Sequence, residues 1–289
     1  MPGSVDRGQV LAGRYRLTEV FAEDPLLEVW LAEDLELRRQ VVIKLLLPQW
    51  MDVDEMVERF RFEALAAASL VHENVARTFN VEHVDGRLFT VSEYVPGPTV
   101  AQLIDEAPLR ARQVAAIGVQ AAGGLASMHA QGLVHGAVCP QNLLVGPTGR
   151  LHIIDFGSVR PFEVADHLPA PIFPEPGVRD YWPPERLAGA APDGRGDVFG
   201  LGLVMWEALV GTPEVGDAPT QGPVRRLLTR LPGGDEMTPR LREILMSAAA
   251  DNPDQRPRAE NLVEHLTEVC GERPEEELDG LIDDVAGAE

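Results

Sequence analysis

His135-Gly136-Ala137-Val138-Cys139-Pro140-Gln141-Asn142 leads, thirteen residues beyond its asparagine, to the aspartate of Ile153-Ile154-Asp155-Phe156-Gly157. Short strand-like pieces at 143–145 and 151–154 lie between them. Upstream the chain is β-rich. Residues 14–21 and 27–33 alternate apolar and polar like half-buried strands, with Asp24-Pro25 as the turn between them. Residues 39–47 form a third strand. Residues 54–70 have helical spacing, with Met56, Phe60, Glu63, Ala64 and Ala67 near one face. Strands at 75–83 and 87–92 are joined by Asp85-Gly86, and Gly97-Pro98 closes this part. Beyond it the spacing predicts helices at 99–105, 110–131, 196–210, 238–249 and 258–270. Residues 158–185 are proline-rich and expected to be irregular. No internal repeat is visible.

The bulk composition bounds the function. The 289 residues carry 25 Lys and Arg against 46 Asp and Glu, a formal charge of −21. Such acidity argues against nucleic acid or an anionic membrane as partner, since both need a basic surface. Hydrophobic residues at 45% and charged residues at 25% are globular values. Cys139 and Cys270 stand far apart in no metal-ligand spacing, and a reducing cytoplasm is the default compartment. The start shows no signal-peptide pattern. The longest apolar stretch, 198–210, is shorter than the ~20 residues of a membrane span. High Ala, Gly, Pro and Arg content points to a GC-rich, bacterial source. Lys44 is the single lysine in the chain; every other basic residue is arginine.

Several segments together resemble protein kinases of the bacterial Ser/Thr type. Val41-Val42-Ile43-Lys44 resembles the V-A-I-K strand. Glu63, nineteen residues on, stands where a kinase helix supplies the glutamate that holds this lysine. The stretch at 135–142 resembles the catalytic loop, and Asp155-Phe156-Gly157 the metal-binding D-F-G. Tyr181-Trp182-Pro183-Pro184-Glu185 is similar to the A-P-E closing motif. Asp197 looks like the aspartate at the start of the central large-lobe helix. Asp251 to Pro257 resembles the late segment whose arginine, here Arg256, pairs with Glu185. The matches span about residues 14–270 in the family order. They imply an α+β, two-lobed kinase-like fold, with a small antiparallel β-lobe carrying one helix and a larger, mostly helical lobe. The expected division is an N-terminal extension at 1–13, a small lobe at 14–96, a large lobe at 97–271 and an acidic tail at 272–289.

The departures bear on function. A kinase covers the phosphates with G-x-G-x-x-G, because a Cβ would obstruct the approach of backbone amides. Those positions fall here on Ala22, Asp24 and Leu27, and no glycine occurs between Gly13 and Gly86. The aspartate that accepts the substrate proton is replaced by Ala137. The neighbouring arginine is Gly136, and the lysine two residues on is Cys139, read as a buried inert thiol. Between Asp155 and Glu185 the hydroxyl-bearing residues are Ser158 and Tyr181. The run 168–176 is stiffened by prolines.

What the resemblance retains is Lys44, Glu63, Asn142 and Asp155. The family uses them as phosphate lysine, its ion-pair partner and two metal ligands. Ser92 falls at the small gatekeeper position, and Glu93 to Val95 would be the hinge that meets an adenine. His135, Phe156, Gly157, Glu185, Asp197 and Arg256 look architectural. The implied reading is a pseudokinase: a regulatory or scaffold module that binds a protein partner, through 168–176 or the acidic tail, with ATP and Mg2+ as candidate ligands. Two alternatives stay open. One is an atypical ATP-dependent transferase, with weak Ser/Thr phosphotransfer or nucleotidyl transfer. The other is a purely structural subunit, in which the four retained groups form a dry polar network.

Overall fold

The computed structural model describes residues 5–23, 25–156, 159–161, 178–211 and 238–281. The sequence readings that rest on Asp24, Gly157, Ser158, the run 168–176 and residues beyond Leu281 lie outside these. The chain forms two compact units. The first comprises residues up to Val71 together with Ala76–Val95. The second holds His72–Val75 and most of the chain from Pro96 onward.

In the first unit one sheet runs in the order β1-β2-β3-β4-β6-β5. Its strands are β1 (Val10–Leu11), β2 (Tyr15–Glu23), β3 (Leu27–Asp34), β4 (Arg39–Leu46), β5 (Thr78–Val84) and β6 (Arg87–Glu93), all paired antiparallel. Side chains alternate across each strand. Val41, Ile43 and Leu45 of β4 therefore face one cluster, with Tyr15, Leu17, Trp30, Phe89 and Val91. Leu46 turns to the other side and packs with Phe60 and Leu88. Phe60 belongs to α1 (Asp54–Ser69), whose buried Met56, Phe60, Ala64 and Ala67 form the apolar face read from the spacing. Asp54 and Glu55 in its first turn complement the positive end of the helix dipole. Asp85 and Gly86 both have positive φ, 53° and 71°, the requirement of a two-residue type I′ hairpin. The residues at 5–13, read as an extension, belong to this unit. Val5 and Leu11 are buried in its core, and β1 pairs with β2.

The second unit is built on α3 (Ala111–His129) and α5 (Gly194–Val210). Asp197 to Leu209 of α5 are all buried, and an all-round apolar helix belongs at the centre of a core. Also present are α2 (Val100–Glu106), α4 (Pro184–Leu187), α6 (Pro239–Ala248), α7 (Ala259–Cys270) and α8 (Pro274–Leu278). Two short antiparallel pairs complete it. Strand β8 (Leu143–Val145) pairs with β9 (Leu151–Ile153), and β7 (Leu133–Val134) with β10 (Arg160–Pro161).

The expected strand at 75–83 begins instead at Thr78. Val75 bridges Ile153 in the second unit, and Asn74 donates there to Gln120 and to the Leu151 carbonyl. The sequence also missed α4, which straddles the end of the segment read as irregular, and α8, inside the segment read as a loose tail. Leu278 is fully buried, and Arg112 ties α3 to Glu277 at 2.8 Å. No helix among the described residues is long and apolar enough to cross a membrane.

Candidate functional site

The first unit carries Lys44 in β4, half-buried, opposite Val29 on β3 and Thr90 on β6. Strand alternation puts Lys44 on the same side as Leu46, the side that Phe60 of α1 covers. Glu63 is one helical turn past Phe60 and shares its side of α1. The structure gives Glu63 a cation that the sequence reading did not name. Arg59 Nε donates to its Oε1 at 2.8 Å, and the two side chains are 6% and 15% exposed. The signal was present in the sequence as an i, i+4 pair. Ser92 lies opposite Val42 and Thr78, its hydroxyl 3.4 Å from that of Thr78. The Glu93 N–H donates to the Arg77 carbonyl, while Val95 is buried. At the position of the missing glycines, Ala22 pairs with Val29 just past a register shift between Val20 and Ala22. A ladder residue of this kind does not offer a loose, glycine-turned amide to a phosphate.

The second unit carries the loop. Asp197, near the start of α5, is buried and organises it. Its Oδ2 accepts from the His135 N–H at 2.9 Å and its Oδ1 from the Gly136 N–H at 2.7 Å. His129 Nε2 lies 2.9 Å from the same carboxylate. Burial pushes the Asp197 carboxyl upward. The bond to His129, the charges of His129 and His135 and the Gly136 amide outweigh it, and the group stays below its ordinary range. His135, fully buried, packs edge-on to Phe156 with ring centres 5.7 Å apart, and its Nε2 lies 3.3 Å from the Ile154 carbonyl. Gly136 adopts φ 74°, a left-handed conformation that glycine adopts without strain. On α5, a Cβ at Gly200 would stand 2.9 Å from the Val138 carbonyl, so glycine lets the helix support the loop closely.

Two candidate oxygen donors, Asn142 and Asp155, belong to this unit. Asn142 Nδ2 donates to the Ala137 carbonyl at 2.9 Å, which fixes the amide plane and turns Oδ1 into the remaining acceptor. That bond uses the backbone of residue 137 and is indifferent to its side chain. The Ile154 N–H donates to the Asn142 carbonyl at 2.9 Å, which brings the residue preceding Asp155 against Asn142. Asp155 itself has φ 63°, an uncommon strained conformation for a non-glycine residue. Two protein oxygens suit Mg2+, which usually completes its shell with water and phosphate. The geometry of Asn142 therefore fits the metal that the resemblance implies.

The degenerate positions read differently. Ala137, Val138 and Cys139 are 4%, 5% and 0% exposed. The methyl group of Ala137 cannot accept a proton. Arg186, which the sequence reading passed over, donates to the Gly136 carbonyl and lies over the Trp182 ring at 3.6 Å. Beside them, Tyr181 donates to the buried Glu207. Burial raises both groups above their ordinary values, and the Glu207 charge raises Tyr181 further. Arg256, with a fully buried side chain, grips Glu185 through two bonds of 2.6 and 2.9 Å and stacks on Phe199. It also donates to the carbonyls of Ala250, Asp251 and Arg195.

Comparison with known proteins places these features in a family. The model described as "Protein kinase domain" matches residues 28–266. A probable serine/threonine-protein kinase of Clostridium perfringens, CPE1738, is 32% identical over 76% of this chain and 32% of its own length. The serine/threonine-protein kinase PknB of Mycolicibacterium smegmatis is 31% identical over 86% of this chain and 41% of its own length. The chain thus spans about a third to two-fifths of these curated relatives. The crystal structure of the Mycobacterium tuberculosis PknI kinase domain superposes with a TM-score of 0.68 at 27% identity. It covers 92% of this chain and 99% of that one.

Proposed function

The chain belongs to the protein kinase domain family, and on that premise we propose that it is a pseudokinase: a kinase fold that binds a protein partner, holds Mg2+·ATP and does not transfer phosphate efficiently. One observation carries the reading. The loop scaffold around Asp197, His135 and Asn142 is intact, while buried Ala137 and Cys139 stand where the family has its proton acceptor and phosphate lysine. Losing a general base typically costs ~10²–10⁴-fold in rate. Lys44 with Glu63 and Asn142 with Asp155 supply the nucleotide and metal ligands. The metal, when bound, would neutralise phosphate charge. The partner surface is the run 168–176 or the acidic tail.

Nucleotide binding is tested by thermal-shift titration, since a ligand that binds only the folded state raises its melting temperature by mass action. Millimolar ATP with Mg2+ is expected to shift the wild type and to leave Lys44→Met unshifted. No shift in either protein would leave the purely structural reading. A pull-down from cell lysate should lose the partner when 168–176 is replaced by Gly/Ser; equal recovery would remove that docking site. A second reading, weak transferase activity, is favoured by the oriented Asn142 amide and by the kinase names of the relatives. Transfer of γ- or α-phosphate would decide for it.

A further inference from the structure

We propose that Arg186 is a positioning residue of the metal site: from α4 it fixes the peptide between Gly136 and Ala137, and through that peptide the Asn142 amide that would ligate Mg2+. The inference rests on the nucleotide and metal reading above, and every residue in it belongs to the second unit. Arg186 Nη1 donates to the Gly136 carbonyl. At the other end of the same peptide, the Ala137 N–H donates to His135 Nδ1 at 3.2 Å. One residue back, the Gly136 N–H donates to Asp197 Oδ1 at 2.7 Å. One residue on, the Ala137 carbonyl accepts from Asn142 Nδ2 at 2.9 Å. A rotation of the peptide between 136 and 137 would therefore carry the Ala137 carbonyl with it, and so turn the Asn142 amide.

The loop has reason to be held from outside at this point. Gly136, at φ 74°, has the widest backbone freedom of any residue type, and residue 137 brings only a methyl group. Arg186 can hold it because its own place is fixed. Its guanidinium lies 3.6 Å from the centre of the Trp182 ring, a stack that orients the planar fork. Its N–H donates to the Pro183 carbonyl at 3.1 Å, and Arg256 grips the neighbouring Glu185. A charged donor makes a stronger bond to the carbonyl than a neutral one. Removing a group that orients a metal ligand typically costs roughly 10–100-fold in metal affinity. Arg186 acts one peptide further out than such a group, so the lower end of that range is expected.

Calorimetric titration of the full chain with ATP, at saturating Mg2+ and separately in EDTA, gives the factor by which the metal strengthens binding. Arg186→Met should lower that factor about ten-fold and leave binding in EDTA unchanged. Arg186→Gln, which keeps a neutral donor, should lower it less. In an Asn142→Ala background, Arg186→Met should lower it no further, because both changes act on one ligand. Equal loss with and without Mg2+, or a loss that adds to that of Asn142→Ala, would overturn the proposal in favour of a general packing role. If Arg186→Met does not fold, Arg186→Gln takes its place, and a factor equal to that of the wild type would overturn the proposal. A wild type that binds no ATP, or binds it equally with and without Mg2+, defeats the nucleotide or metal reading, and this inference with it. A wild type strengthened by Mg2+, with a factor unaffected by Arg186→Met, defeats the inference alone.

Discussion

Asp34 shows how a single carboxylate can set the acid limit of the first unit. It is fully buried, accepts two bonds from Arg14 at 2.8 and 2.7 Å, and caps the N–H groups of Glu36 and Leu37. Arg14's hydrogen bond, opposed by burial, holds its carboxyl at about 2 instead of 3.8. A carboxyl depressed in the folded state stabilises it above its unfolded value and stops doing so as pH falls through the folded one. Asp34→Asn should therefore be less stable than the wild type at pH 7. In denaturant melts the gap should narrow between pH 4 and pH 2; a gap independent of pH would contradict the assignment. In the second unit, Arg256→Met should destabilise by about 3–5 kcal/mol, because Glu185 loses the partner of a largely buried pair. Chemical denaturation measures it, and a loss below about 1 kcal/mol would show the pair to be replaceable.

At the scale of elements, α8 behaves as part of the second unit. A Cβ at Gly149, where φ is 69°, would lie 2.0 Å from the Glu275 carbonyl, so glycine permits both the turn and the docking of the helix. Leu278→Ala should cost about 2–5 kcal/mol in denaturant melts, as for other fully buried leucines; a value near zero would mean that α8 is not docked in solution. This element was hard to read from sequence. Its five residues are too short for a periodic signal, and three successive glutamates make it look solvated. Longer elements were legible because burial on one side imposes a period: α1, α3, α5 and strands β2, β3, β4 and β6 fall where the pattern put them. Val75 was misread because its alternation continues a strand, while the hydrogen bonds of Asn74 and its own bridge to Ile153 make it part of the second unit. In the site, Glu185 and Arg256 could be read from motif order. Arg59 was legible only as an i, i+4 partner of Glu63, and Arg186 was not legible, since its role depends on which neighbour its guanidinium meets.

For the whole molecule, the single lysine and the −21 charge belong together. An acidic chain holds a polyphosphate only where cations are placed for it, and lysine and arginine are not interchangeable at a packed site. Lys44→Arg should therefore abolish the ATP-dependent thermal shift even though charge is conserved; a retained shift would mean that charge alone suffices. The central claim is that the family fold persists around a loop with no proton acceptor. Radiolabelled γ-phosphate transfer, to the protein itself and to a general acceptor protein, tests it most directly when wild type is compared with Asp155→Asn. The account predicts no incorporation by the wild type above that of Asp155→Asn. Clear wild-type turnover that Asp155→Asn abolishes would contradict it.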